Sequence, residues 1–213
     1  MLVIFNTTLI FRLYLNNEYK EMESMKKYIV IAAALLLSAC ASRPAQPPLA
    51  LTLTPVLAQQ ATSQLAVQLS SKDERNHNYI AIIDSGATNV EEFQPESNIA
   101  STFQAALTKQ FASEGVTVNT ASTSNIAINI QQALVKVTQG LVKHDIDSQL
   151  QIELVVTTPK GTFSKKYSAR STKQEPFKVT REEIAQSLEK MMNSVLKEIA
   201  KDGELHQYLT ENV

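Results

Sequence analysis

From Ile126 to Ala169 the chain alternates apolar and polar residues over a run that only long extended strands can satisfy. Ile126, Ile128 and Ile130 share one parity, while Val135 and Val137 carry the apolar role on the other. A bulge near Gln131-Gln132 resets the phase within one strand. A second strand over 141–156 turns Ile146, Leu150, Ile152, Leu154 and Val156 one way and Asp145, Asp147, Gln149, Gln151 and Glu153 the other, which predicts one wet face. Thr158-Pro159-Lys160-Gly161 has Pro and Gly where type I turns favour them. The returning strand directs Phe163, Tyr167 and Ala169 inward. Keeping apolar positions paired requires a two-residue loop, with Val156 opposite Phe163, Ile152 opposite Tyr167 and Glu153 opposite Lys166.

The flanks supply the covering layer. Leu65, Val67 and Leu69 alternate as a half-buried strand, and 79–83 reads as another. Ile99, Phe103, Ala106, Leu107 and Phe111 form one helical stripe over 97–114, stopped at Gly115. A second helix is announced by a Thr180/Glu183 capping box and a Val179/Ile184 hydrophobic staple. It continues through Leu188, Met191, Val195 and Ile199 to Gly203, and Leu205, Tyr208 and Leu209 suggest a short docking helix. The expected fold is α+β: an antiparallel sheet with two main helices packed on one face, preceded by a signal peptide and a Pro-containing tether.

The chain of 213 residues is 44% hydrophobic and 19% charged, enough for one domain with a core. Its 20 Lys+Arg against 21 Asp+Glu, without a basic run, argue against a nucleic-acid partner. The single cysteine excludes a disulfide framework, and three scattered histidines (His77, His144, His206) do not have zinc-ligand spacing. That cysteine closes a different signal. Lys26 and Lys27 form a basic start, 29–37 is an apolar run too short to span a bilayer, and Leu37-Ser38-Ala39-Cys40 looks like a lipobox. Export, cleavage before Cys40 and acylation of its thiol are expected, with residues 25–39 as the signal peptide. Residues 1–24 precede a complete signal and are expected to be a non-native upstream extension. Residues 40–63, holding Pro44, Pro47, Pro48 and Pro55, read as the lipidated cysteine and a spacer, and 64–213 as a periplasmic domain. Ala41, not being Asp, resembles the outer-membrane address of enteric-type lipoproteins.

Val137-Thr138-Gln139-Gly140 precedes the long strand, Lys166-Tyr167-Ser168-Ala169-Arg170 lies in the next, and Val195-Leu196 comes before Glu204-Leu205-His206-Gln207-Tyr208-Leu209. In the order and spacing of these motifs the sequence resembles the YajG family of bacterial lipoproteins. The resemblance implies an outer-membrane lipoprotein and carries no catalytic residues.

Two rival motifs point to hydrolases. Ile82-Ile83-Asp84-Ser85-Gly86-Ala87-Thr88 looks like the active-site loop of retropepsin-like aspartic proteases, where paired carboxylates activate a water. An Asp-Ser-Gly turn after a strand accounts for the same residues. Ser187 to Lys190 and Ser194 to Lys197 match Ser-x-x-Lys of penicillin-recognising enzymes but share one helical pattern and lack the accompanying motifs. His144-Asp145 reads as a solvated strand pair, and Met191-Met192 as core filling with one member exposed. The resulting expectation is a non-enzymatic binding or scaffolding lipoprotein, with Cys40 the lipidation site and no catalytic, cofactor or metal residues. Its partners would be the membrane, through the lipid, and an envelope protein or cell-wall component. The alternatives are an aspartic protease using Asp84 and an envelope subunit that self-associates through a strand edge.

Overall fold

The computed structural model describes residues 46–59, 64–88 and 90–213. The upstream extension, the signal peptide and Cys40 lie outside the described residues. Among the described residues the elements follow in the order β1 (Leu65–Asp73), β2 (Ala81–Asp84), β3 (Glu91–Phe93), α1 (Ile99–Ser113), β4 (Val116–Val118), β5 (Asn125–Gln139), β6 (Lys143–Thr158), β7 (Gly161–Pro176), α2 (Arg181–Ala200) and α3 (Gly203–Asn212).

The antiparallel meander β5-β6-β7 forms in the expected register. Thr158 pairs with Gly161 around a two-residue loop, and Val156–Phe163, Ile152–Tyr167 and Glu153–Lys166 are opposite one another. The β5–β6 register shifts between Ile130 and Gln132, so Ile126, Ile128 and Ile130 before the bulge and Ala133, Val135 and Val137 after it all reach the buried face.

The sheet is mixed rather than antiparallel. The edge of β5 away from β6 serves two strands: β1 pairs parallel with residues 125–130, and β2 pairs parallel with 135–138. Alternation within a strand carries no information about partner direction, and the crossover through α1 sets it here: β4, which follows α1, also lies parallel to β1. Strands β3 and β4, three residues each, are too short to show a period.

Arg75 fastens the β1–β2 connection where β5 bulges. Its side chain is only 2% exposed. It donates from Nε and Nη2 to the two oxygens of Asp73 at 2.9 and 2.8 Å, and from Nη1 to the carbonyls of Tyr79 and Ala133. Burial by itself would raise the Asp73 pKa; the Arg75 hydrogen bonds outweigh it and hold the carboxyl below its ordinary value.

Helix α1 begins at Asn98, whose Oδ1 accepts from the amides of Ala100 and Ser101, and ends before Gly115, left-handed at φ 91°. The capping box at the start of α2 forms as read. Helix α2 turns Ile184, Leu188, Met191, Val195 and Ile199 to the core. Met192 is buried as well, against the expectation that one methionine of the pair is exposed, because α1 covers a second side of α2, its Gln110 Nε2 reaching the Leu196 carbonyl.

The largest difference concerns the spacer. From Gln46 to Gln59 the chain lies extended against the body rather than free of it. Leu49 is buried and bridges Pro95, and Leu51 and Leu53 pack on the core. Successive outward amides are capped by helix side chains: Thr52 by Glu189 and Thr54 by Asn193 of α2, then Val56 by Gln110 and Ala58 by Ser113 of α1. Prolines at 47, 48 and 55 exclude helix, but an extended chain still presents an amide at every second residue to a neighbour.

Replacing Arg75 by Met strips Asp73 of its partner and removes a donor from the Ala133 carbonyl beside the bulge and from the Tyr79 carbonyl, which keeps His77 Nδ1 at 2.9 Å. A loss of about 3 kcal/mol in urea unfolding is expected, as for a broken buried pair; a change within about 0.5 kcal/mol, typical of a surface residue, would contradict the role.

Candidate functional site

The residues singled out by motif do not converge. Asp84 ends β2 and its Oδ1 accepts the amide hydrogen of Gly86 at 3.0 Å, an Asx turn closed by a glycine at φ 75°. Ser187 and Ser194 sit two turns apart on α2, where the Ser194 hydroxyl donates back to the Lys190 carbonyl. His144 is wholly buried, contrary to its reading as half of a solvated pair. It shares the parity of Ile146, and its Nδ1 faces the Phe177 carbonyl at 3.1 Å. Among the described residues no group of three or more His, Cys, Asp or Glu could hold a metal ion.

The polar face of β5-β6-β7 is less wet than its sequence suggests. Gln131 and Gln151 bond at 2.7 Å, Gln132 and Gln149 at 2.8 Å, and Glu153 accepts from both Gln131 and Ser164 at 3.0 Å. Gln174 donates to Asp145 at 2.6 Å. Gln149, Gln151 and Glu153 are thereby half-buried, while Asp147, Lys166 and Arg170 remain exposed. Side-chain amides that satisfy one another across neighbouring strands stiffen the face and offer a partner little unmet hydrogen-bonding capacity.

The densest electrostatic cluster lies where β7 meets α3, and no motif announces it. Asp202 caps α3, its Oδ1 accepting from the amides of Glu204 and Leu205. The same carboxylate accepts from the Tyr167 hydroxyl at 2.5 Å and from Lys165 Nζ at 2.8 Å, and Lys165 also reaches Glu204 at 2.7 Å. Burial would raise the Asp202 pKa, but donation from Lys165, Tyr167 and the Leu205 amide overrides it and keeps the carboxyl below 3.8. Burial, reinforced by that carboxylate, drives the Tyr167 hydroxyl well above its ordinary 10.0, and the hydrogen bonds to Asp202 and Glu204 raise Lys165. An open groove of about 630 Å3 adjoins the cluster. Tyr167 is 1% exposed, so its proton is committed to Asp202 and does not face the groove. The arrangement is a latch that ties α3 to the sheet. Its only trace in the sequence is Asp202 just ahead of Gly203, a helix-start pattern that says nothing of the residues 35 and 37 positions earlier that complete it.

Asp202, with a depressed pKa, stabilises the fold fully above about 3.8 and less as pH falls through its lowered value. Tyr167, with a raised pKa, stabilises it below 10.0 and less as pH climbs above that. Tyr167→Phe is expected to cost about 1–3 kcal/mol near neutral pH. It should also remove the alkaline decline in melting temperature that Tyr167 contributes; a variant that declines above pH 10 as steeply as the parent would contradict the assignment.

A family model described as "Uncharacterized lipoprotein" matches residues 52–210. The chain is similar to the lipoprotein YajG of Escherichia coli K12, 23% identical over 185 residues that cover 85% of this chain and 95% of that one, and to the same extent to YajG of Escherichia coli O6:H1. In architecture it resembles the crystal structure of protein XCC0632 from Xanthomonas campestris, with a TM-score of 0.51 at 11% identity over 73% of this chain and 93% of that one. The match over residues 52–210 places this chain in the family of lipoproteins that includes YajG.

Proposed function

We propose that the protein is exported, cut before Cys40, acylated on that thiol, and held at the inner leaflet of the outer membrane with its α+β domain in the periplasm, where the domain binds or scaffolds rather than catalyses. The observation that carries this reading is the ordered signal of Lys26-Lys27, a short apolar run and Leu37-Ser38-Ala39-Cys40, standing directly before a domain of a lipoprotein family. Two or more acyl chains hold a protein stably where one does not. Ala41 favours the outer-membrane address. The engagement of Asp84 in an Asx turn and of the two Ser-x-x-Lys pairs in a single helix supports a non-catalytic domain.

The self-associating alternative would use β7, which pairs only with β6 among the described residues. Lys165, Lys166, Arg170 and Lys173 along that strand disfavour its pairing with a second copy.

Cys40→Ser should leave an uncleaved precursor that takes up no labelled palmitate, and normal processing of that variant would refute the anchor. Ala41→Asp should move the lipidated protein from the outer- to the inner-membrane fraction; an unchanged distribution would refute the address.

A further inference from the structure

At the end of the sheet where β5 turns into β6, the fold holds apolar side chains out in solvent. Leu141 and Val142 are 105% and 77% exposed in the turn, and Phe177, just past β7, is 78% exposed beside them. This is a built feature. The Phe177 backbone sits at φ 68°, a left-handed conformation that a bulky residue rarely adopts. Its amide donates to the Val142 carbonyl at 2.7 Å, and its carbonyl accepts from buried His144 at 3.1 Å and from Gln139 Nε2 at 3.3 Å. The turn itself is tight enough that a Cβ on Gly140 would come within 2.9 Å of the Lys143 carbonyl. Strain of this kind is retained where the surroundings impose it, characteristically at sites that contact something else.

The docked N-terminal segment leads to the same end. Gln46 Nε2 donates to Glu91 at 3.2 Å, and Glu91 lines an open groove of about 500 Å3 together with Leu141, Gly140 and Lys178. Val90, next to Glu91, is a further exposed apolar residue. Cys40 precedes Gln46 by six residues, a separation of at most about 20 Å even fully extended. That length of chain lets a lipid on Cys40 and the tip share one bilayer surface.

We propose that Leu141, Val142 and Phe177 form a membrane-docking tip that enters the headgroup region of the bilayer carrying the Cys40 lipid, fixing the domain with this end toward the membrane. The inference rests on the lipid-anchor reading and adds the docking surface to it. Lys143 and Lys178 flank the tip, but so do Glu91 and Glu175, so apolar insertion rather than charge provides the attraction and added salt should not release it. The free end of the 16-residue β7, at Thr162, is about 50 Å along the strand from Phe177 and points away.

The chain contains no tryptophan, so a single introduced indole reports one place. The full-length lipidated Leu141→Trp protein, its acylation verified by intact mass, is reconstituted in phosphatidylethanolamine–phosphatidylglycerol vesicles. Its emission should shift to the blue and be quenched by lipids brominated high on the acyl chain, at low and high salt alike. Thr162→Trp should remain at the emission of water, unquenched. Phe177→Trp repeats the measurement in case the turn does not tolerate an indole. Acylated, vesicle-bound protein whose indole is unquenched at both tip positions overturns the docking tip and leaves the anchor standing. Absence of the acyl mass overturns the anchor and the proposal with it. A blue shift in the Cys40→Ser, Leu141→Trp double variant without vesicles assigns the tip to a second copy of the chain and also overturns the proposal.

Discussion

The architecture depends on one extra residue in one strand. Without the bulge at Gln131, β5 would carry its apolar residues on opposite faces in its two halves, and either Ile126, Ile128 and Ile130 or Ala133, Val135 and Val137 would leave the core. With it, a 15-residue strand keeps one buried face and presents a divided edge, the first half to β1 and the second to β2. Both parallel pairings, the α1 crossover they require and the layer of helices follow from that division. Arg75 secures the junction, since it reaches from the β1–β2 connection to the Ala133 carbonyl beside the bulge.

Much of this is legible in the sequence wherever period and chemistry act within a few residues. The bulge, the two-residue loop of β6–β7 with its full register, the stop at Gly115 and the Thr180/Glu183 box all follow from local constraints and form as read. Strand direction does not, because it is decided by where a connection crosses and not by any residue of the strand. The short strands β3 and β4 are held by their neighbours rather than by pattern. The docked segment is a different kind of omission. Leu49, Leu51 and Leu53 alternate with Ala50, Thr52 and Thr54, a strand-like period visible in the sequence but overshadowed by the prolines around it. His144 was likewise legible, since its parity is that of Ile146 and Leu150.

The polar chemistry is less legible because its partners are remote. Gln149 and Gln151 read as part of a wet face and Gln131-Gln132 as a bulge; only their cross-strand pairing makes the four a self-satisfied ladder. Asp202, Tyr167 and Lys165 are brought together by the way α3 folds back on β7. The apolar tip was not legible: Leu141 and Val142 read as the start of the second strand but lie in the turn before β6, which begins at Lys143, and Phe177 joins them only through its bond to Val142 and its place at the end of β7. These features give the domain a polar face that largely pairs with itself and, at the β5–β6 turn, an exposed apolar end.

Whether residues 46–59 are part of the fold or a free spacer is the point on which the account turns. Amide hydrogen exchange on the full chain tests this directly. The amides of Thr52, Thr54, Val56 and Ala58, each bonded to a helix side chain, should be protected to an extent approaching that of α1 and α2. Exchange of all four at the rate of an unstructured peptide, with the helices still protected, would contradict the account.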